Sequence, residues 1–396
     1  MTGTQIDLAS AISGYARIFH ETVGAGQHVL SPLGAWLLLA LGAPAAGPAT
    51  GPSAAALTRV LGCDAAPAAA AAGSLLAAPH PLVSAAAGVW TRPGVGDARW
   101  LAGLPPAVAH GDIPGQDALD RWAREHTLGL IERFPVLVDA MTSLVLATAV
   151  ATRVSWDQPF DLAPGSALGQ ASPWARGLAR VLRTPAREGG GHQAFIAVTP
   201  EAGDVAVHAG HARGGLLVVS VAADPSAPAA EVLAAAHRIA IARATGRPVP
   251  VRSLFDLPLG TGPLWSITQD TLAGPAERCD AVLPAWSAQT NVDLSDPRLG
   301  FGALAAGLAA AGPWQARQAA MARYSRVGFE AAAVTAFAVA ARLARPVRSR
   351  AAELRFGHPF AVVAVAIDED GAAPGPWHGV PVFSAWVTDP EDADAG

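Results

Sequence analysis

His192, His208 and His211 lie within one region with Glu201 and Asp204, all groups that bind metals or move protons. A helical zinc site places its two histidines at i and i+4 on one face. His208-x-x-His211 lacks that spacing, and no cysteine lies near it. A metal-dependent hydrolase is therefore the least favoured reading, and no metal or cofactor is expected. Glu188 to His192 (EGGGH) carries the glycines of a phosphate loop without its lysine, for the chain contains no lysine at all. No Gly-x-Ser-x-Gly elbow is present. His358-Pro359-Phe360 reads as packing. Arginine remains: Arg342, Arg345, Arg348 and Arg350 close an alanine-rich, nearly uncharged run. Plain loop solvation is one explanation for them.

The 396 residues are 51% hydrophobic and 15% charged, with net charge −5. That balance demands a large buried core and excludes a disordered chain. No basic stripe supports a nucleic-acid surface. Cys63 and Cys279 are too few for a disulfide framework. A single bridge stays open, with two separate buried thiols favoured. The N-terminus does not read as a secretory signal. The apolar run Leu33 to Ala43 falls short of the roughly 20 residues a membrane helix needs. Pro44, Gly47 and Pro52 prevent its extension, so the run reads as a buried helix of a soluble protein.

Helices are expected over 7–23, from Ser31-Pro32, over 53–62, over 117–134 and over 229–245. Strands are expected over 83–90, 144–150, 205–207, 216–222, 354–368 and 380–387, with several short ones in 249–290. Residues 163–192 read as loop, and 303–318 as helix leading into strand. Helices and strands without regular alternation argue for one α+β domain rather than a doubly wound sheet.

Four segments, in order, resemble the serpin family. They are HVLSPLGAWLLLALGA (His28 to Ala43) with Val60-Leu61-Gly62, and Leu119 to Phe134 followed by SLVLATAVATRVSWDQPF (Ser143 to Phe160). The others are AVLPAWSAQTNVDLSDPRLGFGAL (Ala281 to Leu304), and Gly328 to Ala333 followed by FGHPFAVVAV and PVFSAWVTDP. The resemblance implies one α+β domain over 1–396, with three sheets, about nine helices and an exposed reactive centre loop. The hinge and loop would occupy 326–352.

It also implies a non-enzymatic, extracellular serine protease inhibitor that works by conformational change. A serine protease, trypsin-like by the arginines, would be the partner of a monomer, with no nucleic acid or membrane. A cytoplasmic location stays open. The protease cleaves the loop as a suicide substrate, and the loop's first part becomes a new strand of the main sheet. Gly328, Phe329, Glu330, Ala331, Ala332 and Ala333 would form the hinge. In a strand Phe329, Ala331, Ala333, Thr335, Phe337 and Val339 share one face, and Glu330 falls on the other. Family spacing from Gly328 points to the bond Arg342–Leu343. Counting back from Pro359-Phe360 points downstream, to Arg348–Ser349.

Departures from the family pattern accompany these matches. Phe329 stands where a small hydroxyl residue is usual, and Arg326 and Ala285 replace a Glu–Lys pair. Ser31 and Trp156 are kept in the sheet-opening region, with Gly34, Thr148 and Gln318 at its other positions, and a Thr148–Gln318 polar bridge is one expectation. A non-inhibitory, serpin-like binding protein is the alternative these changes favour.

Overall fold

In the computed structural model, residues 6–47, 51–95, 98–127, 129, 131–139, 141–152, 155–185, 191–273, 276–308, 314–328, 346–368 and 374–394 are described. Helix α1 (Leu8–Val23) starts at Asp7, whose carboxylate accepts from Ser10 N at 3.0 Å. It turns Ile12, Tyr15, Ala16, Phe19 and His20 inward. Helix α2 (Pro32–Gly42) buries every one of its residues. A helix apolar all round belongs inside a core. Ser31 Oγ accepts from Gly34 N at 3.2 Å, and Pro32 sits where no N–H is needed. Helix α3 (Pro52–Leu61) stops at Gly62, whose φ of 73° suits a residue without Cβ. Helix α4 (Ala65–Ala77) packs on α2. The others are α5 (Ala98–Ala102), α6 (Gln116–His126), α7 (Ala229–Ala244) and α8 (Phe301–Gly307). No single described helix is long and apolar enough to cross a membrane.

The strands are β1 (His28–Leu30), β2 (Val83–Thr91), β3 (Val108–Asp112), β4 (Leu144–Thr152), β5 (Asp161–Pro164) and β6 (Arg180–Arg183). Next come β7 (His192–Thr199), β8 (Gly203–Ala212), β9 (Leu216–Ala222), β10 (Gly260–Thr261), β11 (Trp265–Ala273) and β12 (Glu277–Leu283). The chain ends with β13 (Trp286–Asp293), β14 (Trp314–Tyr324), β15 (Pro346–Arg355), β16 (Phe360–Ala366) and β17 (Pro381–Val387). They build a five-stranded sheet ordered β3-β2-β4-β14-β13 and two six-stranded sheets. One six-stranded sheet runs β1-β17-β16-β9-β8-β7 and the other β10-β11-β15-β12-β6-β5. Helix α2 touches both β4 and β17, so it joins the five-stranded sheet to the first six-stranded one. Helix α7 covers β16 and β9.

Several expected boundaries are corrected. The helix expected over 117–134 ends at His126. Thr127 Oγ1 donates to Ala123 O at 2.7 Å and accepts from Ile131 N at 3.0 Å, which turns the chain off the helix axis. Residues 163–192 are not all loop, because β5 and β6 pair there around fully buried Val181 and Leu182. The strand expected over 354–368 is divided into the end of β15 and β16. Helix α8 ends at Gly307, so Gln318 lies in β14 rather than at the end of a helix.

Candidate functional site

The site lies between two neighbouring strands that do not fully pair. Parallel strands β4 and β14 are bonded in register only at Leu144–Leu146 and Trp314–Ala316. Among the described residues no ladder pair joins Ala147–Thr152 to Arg317–Tyr324. At the far end the chains meet again, through a bridge between Ser155 and Gly328. The result is a slot in the five-stranded sheet, closed at both ends. The chain leaves β14 through Gly328 at the top of the slot. Its φ of 126° is one that side-chain-bearing residues resist.

Behind the slot, the start of α2 meets both strands. A Cβ on Gly34 would lie 2.8 Å from Thr148 Oγ1 and 3.4 Å from Gln318 Nε2. Gln318, 4% exposed, grips the Ser31 backbone at both ends. Ser31 N donates to Gln318 Oε1 at 2.9 Å, and Gln318 Nε2 donates to Ser31 O at 2.8 Å. Ser31 Oγ donates to Val382 O at 2.9 Å. The structure thus brings Ser31, Gly34, Thr148 and Gln318 to one point, while the partner of Gln318 is Ser31 and not Thr148. Replacing Gln318 by Ala strands a buried N–H and a buried C=O, each worth about 1–3 kcal/mol. We expect Gln318→Ala to lower unfolding free energy by roughly 2–4 kcal/mol in urea titration.

Above the slot, residues 155–160 are stitched to residues 325–328. Trp156 N donates to Val327 O at 3.2 Å and Trp156 Nε1 to Ser325 O at 3.0 Å. Phe160 N donates to Arg326 O at 3.0 Å, and Arg326 Nε returns a bond to Phe160 O at 3.1 Å. Arg326 therefore serves this stitch, and Ala285 bridges Glu391 instead of facing it. Under the stitch Trp156 and Phe160 pack on Tyr324, with ring centroids 5.0 and 5.8 Å away, and Trp286 stacks on the same ring at 6.0 Å. Sequence spacing did not single out Tyr324. Its signal is position: it closes β14, four residues before Gly328.

The remaining expected residues divide. Phe329, Glu330, Ala331, Ala332, Ala333, Arg342 and Leu343 lie outside the described residues. Arg348–Ser349 does not protrude. Both residues belong to β15, where Thr271 pairs with Arg348 and Asp270 with Ser349. From Arg350 onward the opposite edge of β15 is paired with β12 as well. A protease must draw an extended peptide out of its surroundings, so this second-choice bond is set aside. The reason is that strand β15 begins at Pro346, earlier than loop-like composition suggested.

Among the described residues no group of three or more His, Cys, Asp or Glu side chains is placed to hold a metal ion, and His192 and His208 bond each other instead. Cys63 and Cys279 are free, so the single-bridge option falls, and burial pushes the Cys279 thiol up to about 12.

No protein-family profile and no curated protein sequence matches the chain significantly. Solved structures do. Serpin48 of the insect Tenebrio molitor is 14% identical, with TM-score 0.64 over 99% of this chain and 100% of its own. Human thyroxine-binding globulin in complex with thyroxine is 13% identical, with TM-score 0.65 over 98% and 100%. The thermophilic serpin Tengpin in its native state is 12% identical, with TM-score 0.65 over 98% and 96%. The chain has the serpin fold.

Proposed function

We propose that this chain inhibits serine-type endopeptidases as a suicide substrate, with Arg342–Leu343 as the bait bond for a trypsin-like enzyme. It acts as a monomeric partner of the protease rather than as an enzyme. The observation that carries this reading is the slot between β4 and β14, with Gly328 at its head. A chain that leaves the top of β14 and turns back must run antiparallel to β14. Because β4 is parallel to β14, it runs antiparallel to β4 too. Entry of 329–341 would replace an incompletely bonded parallel contact with two antiparallel ladders, the better pairing per residue. The protease serine attacks the Arg342 carbonyl, the Leu343 amine leaves with the histidine's proton, and an ester joins Arg342 to the enzyme. Strand entry then carries the ester away before water can cleave it.

Incubation with trypsin and a denaturing gel test this. A band at the summed mass less that of the released carboxy-terminal fragment is expected, and that fragment should begin at Leu343. Arg342→Ala should abolish the band with trypsin. Fragments without a complex across trypsin-, subtilisin- and elastase-like enzymes would overturn inhibition.

Such fragments would favour a second reading, a non-inhibitory binder of a small apolar acid. A cleft of about 560 Å³ between α1 and α7 supports it, with Arg17, Arg238 and Arg247 along its lining. His237 also lines it, and its Nε2 is buried without a hydrogen-bond partner. The likeness to a thyroxine-binding globulin points the same way.

A further inference from the structure

Directly beneath the stitch runs a buried chain of hydrogen bonds from Gln158 to Tyr324. His192 Nε2 lies 2.7 Å from Gln158 O. A carbonyl only accepts, so that nitrogen carries a hydrogen, and in the neutral ring His192 Nδ1 is an acceptor. His208 Nε2, 3.0 Å away, must then donate to it. His208 Nδ1 is left to accept from the Tyr324 hydroxyl at 3.3 Å. The two imidazoles stack with centroids 5.2 Å apart, and His208 is fully buried. An added proton on His192 Nδ1 would set a donor against the donor of His208. An added proton on His208 Nδ1 would force the tyrosine hydroxyl to turn and accept. Either arrival breaks the present order of donors and acceptors, and it puts charge where burial already holds both rings below the ordinary histidine range.

The neighbours do not welcome that charge. His211, on β8, disfavours it at His192. Arg326 is a cation in the stitch itself. Asp157 is paired with Arg213 at 3.6 Å. On the remaining sides stand neutral Ser220 of β9 and Trp286 of β13. The break is also transmitted, because His192 holds Gln158 O and packs on Phe160 and Trp156 at 4.3 and 6.0 Å between centroids.

We propose that the His192–His208–Tyr324 relay is an acid-released latch, whose protonation frees residues 155–160 from 325–328 and opens the head of the slot between β4 and β14. Release of the stitch stands by itself. Only its consequence, faster strand entry in acid, rests on the inhibitor reading.

Hydrogen exchange on the full chain, without protease, tests the latch. After correction for intrinsic rates, the Trp156 and Phe160 amides should lose about tenfold or more protection between about pH 7.5 and 5.5. That loss should exceed the loss at the amides of β16 and β17, which the other buried histidines also weaken in acid. His192→Gln with His208→Gln should remove the pH dependence at Trp156 and Phe160. If that double variant does not fold, His192→Gln alone, at the less buried position, should reduce it. Unchanged protection at both pH values overturns the proposal. So does loss in step with β16 and β17, or a pH dependence that survives undiminished in the glutamine variant. A failure of trypsin trapping leaves all these outcomes readable.

Discussion

On the inhibitor reading, nicking the loop at Arg342 should raise the melting temperature of the chain by about 10 °C. Calorimetry of intact and trypsin-nicked protein measures it. The size of the rise comes from what strand entry exchanges. Ladder bonds give about 1 kcal/mol each, and fixing a residue costs about 1–2 kcal/mol. Those two contributions nearly cancel, so side-chain burial decides. On the face that would turn inward, Phe329, Phe337 and Val339 are the large residues, each worth about 1.5–3 kcal/mol when fully buried. A surplus of roughly 5–8 kcal/mol, at on the order of 1–2 °C per kcal/mol for a chain this long, gives the shift. An unchanged melting temperature would mean that the slot receives no strand.

Mild acid weakens the intact molecule through a second set of histidines. His20 Nδ1 contacts His28 Nε2 at 2.7 Å, and His20 Nε2 contacts Ser384 Oγ at 2.7 Å. His237 Nδ1 contacts Ser13 Oγ at 3.2 Å. These bonds tie α1 to β1, β17 and α7. Burial pushes all three imidazoles down, with His28 adding repulsion at His20, and His237 falls to about 4. A folded-state value below the unfolded 6.5 means that the unfolded chain binds the extra proton, so stability is lost as pH falls. For His237 the loss starts near 6.5, is complete by about 4, and amounts to about 3 kcal/mol. Melting temperature should therefore drop steeply between about pH 6.5 and 4, and His237→Gln should flatten part of that drop. A flat profile in the native protein contradicts the burial argument.

Much of this architecture could be read from the residues, and the failures have causes. Ser31-Pro32 marked the start of α2 because a cap and a first-turn proline are local signals. Helix α4 was missed because AAPAAAAAGSLLA has no apolar periodicity to find. Helix α6 stopped early because a threonine side chain competed for its carbonyl, which hydrophobic spacing cannot register. The meeting of Ser31, Gly34, Thr148 and Gln318 was legible only through resemblance, since they lie far apart in the chain. The histidines drew notice as possible ligands, yet their chemistry depends on Tyr324, Trp156 and Phe160. Those contacts arise from strand register, which sequence spacing does not encode.

Strand β15 fixes the direction in which a severed loop travels. Its two flanks are held by β11 and, from Arg350, by β12. Upstream, the described chain ends at Gly328, held by its bridge to Ser155 and by the stitch. A scission between them leaves the downstream stump moored like a post, and all the slack passes to the other end. The carboxy-terminal piece should then stay aboard the particle after the cut, invisible to gel filtration, and appear only when the molecule is boiled apart.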